Sequence, residues 1–296
     1  MKFRYPAYYE QFSCIADRCE DTCCAGWEID IDDESYAYYM NVEGAFGEEL
    51  RRQIKEYESE EELVLAGEIR WARDMAIRIL QNREIPVEER ICACLDFAGE
   101  VQKCLNEDSF VDIHKIRLKP YLQQTTRVEE KAEERIFKLF LLRLRSFTEL
   151  ESISEEWENM LLLLQKRYAQ PEDGAERYVA ERRAYDRALT DWEREYEKEH
   201  LIVYYCFLLL ARCVDDYDFL GKMKLAVTSF LMIRDIDTAW YAEHEGVYTK
   251  EDRVMMARIY AKEVEHSERN LEYLADEFLF EKAYTPENLC VSLTSL

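Results

Sequence analysis

Eight glycines and five prolines are all that punctuate 296 residues. An all-β chain needs turn residues every ~8–12 positions, so this scarcity argues against a sandwich or barrel. It predicts a mainly α fold in which helices run on with few breaks. Apolar residues make up 48% of the chain, and at this length that is enough to bury a sizeable core.

The hydrophobic periodicity agrees. Trp71, Ala72, Met75, Ala76 and Ile79 repeat at helical spacing, and Ile91, Leu95, Ala98, Val101 and Leu105 do so again after a start near Pro86. Arg127–Glu149 is apolar nearly all round and is expected to cross the core. Ser154 can cap the next helix, which carries Trp157, Met160, Leu161 and Leu164. Pro171–Gly174 marks a turn, and Gly174–Glu199 reads as one charged helix with Tyr178, Tyr185, Leu189, Trp192 and Tyr196 along a stripe. Leu201–Val214 and Leu220–Trp240 read as buried helices. Thr249 and Asp252 fit a capping box, and Thr285-Pro286 can open a last short helix.

Lys plus Arg is 39 and Asp plus Glu is 63, a formal net charge of −24. Such a surface repels phosphates and anionic membranes and attracts lysine-rich partners, so nucleic acid is not an expected ligand. The longest apolar run, Leu201–Ala211, falls well short of the ~20 residues that span a bilayer and contains two tyrosines. Met1–Glu10 has no apolar secretory segment, which predicts a cytoplasmic protein. In that compartment the ten cysteines are expected to be metal ligands or free thiols rather than disulfides.

The cysteines are unevenly placed. Cys14, Cys19, Cys23 and Cys24 lie within eleven residues, ahead of Trp27–Asp32, where apolar and polar residues alternate as in an extended segment. Thiolates are soft ligands suited to zinc or to iron–sulfur clusters, and four so close together point to a metal. Adjacent side chains on an extended backbone face opposite ways, so Cys23 and Cys24 reach one centre together only through a local turn. Three ligands with a spare thiol, or four in a closed zinc site, both satisfy the spacing. This predicts a small cysteine-rich metal module over residues 1–56 on an α-helical body over 57–296. Cys92, Cys94 and Cys104 on a helix, and Cys206 and Cys213 in apolar surroundings, read as small buried hydrophobes.

The run Phe12, Cys14, Cys19, Asp21, Cys23, Cys24, Gly26, Trp27, Ile29, Ile31 and Asp32 resembles the opening of the flagellin lysine-N-methylase family. Ala257–Tyr260 together with Glu265–Leu271 is similar to the family's end. The resemblance implies a cytoplasmic lysine N-methyltransferase that moves a methyl group from S-adenosylmethionine to lysines of flagellin. It also implies an iron–sulfur cluster, of the 4Fe-4S type, at Cys14, Cys19, Cys23 and Cys24. The chain departs from the family pattern in lacking a second cysteine block after Arg52. A shortened, non-catalytic relative that binds flagellin or another partner therefore stays open, as does a structural zinc module.

No G-x-G turn or P-loop is present, so S-adenosylmethionine would have to bind through helices or the cluster. Methyl transfer needs a neutral amine, and free lysine has a pKa of ~10.4, so a base is required. Composition offers Tyr204, Tyr205, Asp215 and Asp216 without choosing among them, and His266 lies inside the C-terminal resemblance.

Overall fold

The computed structural model describes residues 31, 33–54, 60–122 and 132–294. Cys14, Cys19, Cys23, Cys24 and most of the alternating Trp27–Asp32 segment lie outside the described residues. Among those described, the chain is helical and no strand forms, the mainly α architecture that the scarcity of turn residues requires. The chain divides into two units, Met1–Ile54 and Lys55–Leu296.

The described part of the first unit holds α1 (Asp33–Met40) and α2 (Gly44–Gln53). Arg51 near the end of α2 donates to the Val42 carbonyl at 2.8 Å and so closes the turn between them. Tyr36 and Tyr39 are half-buried, while Met40 is exposed.

The second unit is built around α10 (Phe219–Glu243), in which every residue from Leu225 to Ala239 is buried. Asp218 caps it by accepting from the Gly221 amide at 2.8 Å. Around α10 pack α4 (Val87–Asn106), α6 (Glu155–Leu164), α7 (Gly174–Ala188), α8 (Lys198–Leu209), α11 (Lys250–Tyr260), α12 (Glu268–Phe280) and α13 (Pro286–Leu293). Three more helices complete the set: α3 (Glu60–Leu80) lies against α4 and α8, α5 (Ala132–Thr148) lies against α7 and α13, and the short α9 (Cys213–Asp216) lies against α3. Pro86 stands at the cap of α4 rather than in its first turn.

Local signals set most of these boundaries. Ser154 accepts from the Trp157 amide, Thr249 and Asp252 close a reciprocal capping box, and Thr285 caps α13 with Pro286 at its start. Gly174 opens α7 where a Cβ would stand 1.9 Å from the Tyr168 carbonyl oxygen, so no side chain fits there. Two expectations change. The stripe from Gly174 to Glu199 is not one helix. It breaks at Leu189, whose backbone is extended, because Thr190 and Glu193 form a second capping box that starts a new helical run. Leu201–Val214 and α5 are not buried all round, since Tyr204, Phe207 and Leu142 are exposed.

A buried helix with three charged residues in its middle needs partners for each. Asp235 of α10 accepts from Arg143 of α5, through Nε at 3.2 Å and also through Nη2, and from the Tyr178 hydroxyl of α7 at 2.8 Å. Asp237 accepts from the hydroxyls of Tyr185, at 3.2 Å, and Tyr248. Glu199 of α8 accepts from Arg90 at 2.6 Å and from Arg83 at 2.7 and 3.0 Å, tying the α3–α4 turn to α8. Burial pushes the Glu199 carboxyl up, but the hydrogen bonds from the two arginines outweigh it and hold the group below its ordinary range.

Asp237 behaves the other way. Burial raises its pKa to about 7, against the two phenol hydrogen bonds and the nearby Arg253, with Glu197 adding to the rise. The folded protein therefore keeps this proton between about pH 4 and 7, where the unfolded chain has released it. The group's contribution to stability is full below about pH 4 and declines as pH rises toward 7, by up to ~1.4 kcal/mol per unit. Asp237→Asn should flatten the curve of unfolding free energy against pH over that window, as read from urea titrations. Identical slopes for the variant and the parent would refute this assignment.

Candidate functional site

The two C-terminal stretches singled out in the sequence, Ala257–Tyr260 and Glu265–Leu271, are joined by a π turn, Ala261–Glu265, that continues α11 and leads into α12. Such one-residue expansions re-aim the side chains that follow them. Glu263 and Val264 are buried, and Glu265 is half-buried at the edge of the body.

Glu265 meets Tyr204 of α8, whose hydroxyl donates to Glu265 Oε1 at 2.6 Å. The second oxygen, Oε2, is buried and has no hydrogen-bond partner. Burial raises the pKa of this carboxyl, while the Tyr204 bond and the fields of His266 and Arg212 pull it down without cancelling the rise. Aromatic rings back the site. Tyr204 and Tyr205 sit 5.2 Å apart by centroid, and Tyr205 lies 6.1 Å from Tyr260, whose hydroxyl donates to Ser229 at 2.9 Å. Burial pushes the Tyr205 phenol well up, so it stays protonated. Along α8 the exposed face continues through Phe207, over which the Arg73 guanidinium stacks at 4.6 Å. A raised carboxyl with one free oxygen, held by a phenol beside aromatic walls, is equipped to accept a proton from a cation or to stabilise one.

The residues around Glu265 serve structure. Glu263 is fully buried, and its carboxylate accepts from the Ile153 amide at 2.7 Å and from the Ser154 hydroxyl. Ser267 caps α12. Asn270 donates to the carbonyls of Glu151 at 3.0 Å and Glu263 at 2.7 Å, and accepts from the Glu151 amide at 2.9 Å. His266 is exposed and closes the π turn through its amide.

The other residues proposed from sequence do not converge. Asp215 and Asp216 are exposed, and Asp216 pairs with Lys222. Of the histidines that the sequence did not single out, His114 is exposed against Glu68, and His244 stacks on Trp240 at 4.2 Å. Cys92, Cys94, Cys206 and Cys213 are buried, while Cys104 and Cys290 are half-buried. Burial raises the thiols of Cys94, Cys104, Cys206 and Cys213, Cys206 to about 12, which disfavours the thiolate a metal requires. Among the described residues no three His, Cys, Asp or Glu side chains are grouped to hold a metal ion. Nor is any described helix long and apolar enough to cross a membrane.

Among the described residues the helices form a mainly α, multi-helix body. The family model described as the FliB lysine N-methylase C-terminal domain matches residues 73–292, and the chain belongs to that family. Searches of curated proteins and of solved structures find no match.

Asn270→Ala removes three hydrogen bonds, one of them to the buried Glu263 carbonyl, and should cost about 1–3 kcal/mol in chemical denaturation. Glu265→Gln should change stability far less, because its one bond comes from an exposed phenol. Equal losses for the two variants would contradict this division of labour.

Proposed function

We propose that this chain transfers methyl groups from S-adenosylmethionine to lysine side chains of flagellin. The observation that carries the reading is the family match over residues 73–292. The acidic balance of the chain, −24, adds to it, since it favours a lysine-bearing partner.

The reacting lysine arrives as an ammonium and must lose a proton before its nitrogen can attack. In this proposal Glu265 takes that proton: the Nζ–H bond breaks and an O–H bond forms on its half-buried carboxylate. Tyr204 holds Oε1 and fixes the carboxyl plane. The raised affinity of the carboxyl for protons narrows the gap to the amine, which favours the transfer. S-adenosylmethionine supplies, when bound, an electrophilic methyl on a sulfonium. That group and the lysine ammonium are both cations, the class of ligand a free carboxylate oxygen beside tyrosine rings suits. The proposed iron–sulfur cluster belongs at Cys14, Cys19, Cys23 and Cys24, because those thiols form a soft donor set and the body's cysteines do not.

The test is co-expression of the full chain with flagellin, followed by intact-mass and peptide analysis of flagellin lysines. Methylated lysines are expected, with Glu265→Gln lowering kcat by roughly 10²–10⁴ while the fold stays intact. Anaerobically purified protein should carry iron and sulfide, and Cys14→Ser or Cys19→Ser should lose both. Zinc without iron would replace the cluster by a structural zinc site. Unmethylated flagellin that still binds the chain would leave a non-catalytic partner-binding protein.

A further inference from the structure

The run that begins at Trp192 passes through a π turn, Glu193–Glu197, and continues as α8. Four of its carboxylates anchor it to the body: Glu193 and Glu197 hold Arg253, and Glu195 and Glu199 hold Arg90. Its rings lie on the outer face. Trp192, Tyr196, His200, Tyr204 and Phe207 follow one another at intervals of four, four, four and three residues, the spacing that keeps side chains on one side of a helix. Trp192, Tyr204 and Phe207 are 59%, 42% and 52% exposed, His200 is exposed and Tyr196 is half-buried.

These rings form a track. Trp192 stacks on Tyr196 at 4.2 Å, and Tyr196 meets His200 edge-on at 6.5 Å. From Trp192 to Phe207 the track runs ~22 Å along the helix axis. Single exposed apolar side chains are ordinary on a surface, but a contiguous row of rings is a patch of the kind that partners cover. α8 is apolar on nearly all sides, the composition of a core helix, yet this face of it is open to solvent.

Charge decides what suits the track. Two cations already lie on it, Arg83 over Tyr196 at 4.3 Å and Arg73 over Phe207 at 4.6 Å. An aromatic face attracts a cation through its quadrupole. Between these two points Glu265 meets the track through the hydrogen bond from the Tyr204 hydroxyl. Asp191 stands fully exposed at its start, 3.7 Å from Arg194. The chain as a whole carries −24, so it draws cationic partners and repels acidic ones. A lysine side chain matches both features, with methylenes that cover a ring and an ammonium that faces a carboxylate.

We infer that this aromatic track docks a lysine-bearing segment of a protein partner, laid along α8 with its lysine side chains on the rings. The inference rests on the proposed function in taking flagellin as that partner. It adds the surface that holds the substrate on either side of Glu265.

The test uses the full chain, isotopically labelled at its five tryptophans and titrated with purified flagellin monomers. The indole signal missing from Trp192→Phe should move saturably in the parent. Flagellin with acetylated lysines should leave it in place. In calorimetry, Trp192→Ser and Phe207→Ser should each weaken flagellin binding by about 2–5-fold, the loss of one exposed cation–π contact, while Trp192→Phe keeps part of it. Both side chains are more than half exposed, so the variants should fold, which urea denaturation checks. Flagellin that binds without moving the Trp192 signal, or binds the serine variants as tightly as the parent, would overturn the docking surface and leave the proposed activity standing. A full response to acetylated flagellin, or no binding of flagellin at all, would overturn it as well. A track that responds as described on a chain that methylates nothing would uphold the docking surface and sink only the catalytic reading.

Discussion

The constraint on which this fold depends is the burial of charge along one helix. α10 places Arg234, Asp235 and Asp237 within about one turn of a mainly apolar, fully covered segment. Each buried ion loses hydration worth several kcal/mol and must recover it from neighbours in good geometry. Those neighbours come from different elements: Arg143 from α5, Tyr178 and Tyr185 from α7, Tyr248 from the turn before α11, and the carbonyl end of α13. A helix that merely matched apolar surface could slide or rotate against α10. One that must deliver a guanidinium or a phenol to a particular carboxylate cannot. The charges thus fix which faces of α5, α7 and α13 turn inward.

The same logic separates scaffold from chemistry near the C-terminal motif. Glu263 and Asn270 are buried with their hydrogen bonds satisfied, and they tie the segment before α6 to the start of α12. Glu265, one turn-edge away, has one oxygen held and one oxygen idle. Satisfied polar groups stiffen a structure, whereas an idle buried oxygen is a cost that a ligand can relieve. Glu263 and Glu265, two residues apart in the π turn, face different surroundings.

Much of this was legible in the sequence because it is local. The Ser154, Thr249 and Thr285 caps, the turn before Gly174 and the apolar core helix at Leu220–Trp240 all follow from spacing within a few residues. The Thr190–Glu193 box was equally local, yet it was masked by an aromatic stripe that runs through it without losing phase. The membership of residues 73–292 in the lysine N-methylase family matches the resemblance carried by Glu265–Leu271. What spacing could not provide was pairing at long range. Tyr204 and Glu265 are 61 residues apart, Arg143 and Asp235 are 92 apart, and only tertiary packing brings them together. Composition offered Tyr204 beside Asp215 and Asp216, and nothing but the fold could distinguish the half-buried carboxyl of Glu265 from those two exposed ones.

The most direct test of the charge-pairing account is a double-mutant cycle on Arg143 and Asp235, using Arg143→Met and Asp235→Asn in equilibrium denaturation. Each single change removes one partner of a buried ion pair and is expected to cost about 3–5 kcal/mol. The double variant should cost less than the two together by roughly 1–3 kcal/mol, because neither charge is then left alone. Additivity of the two losses within about 0.5 kcal/mol would contradict the claim that these charges hold α5 against α10.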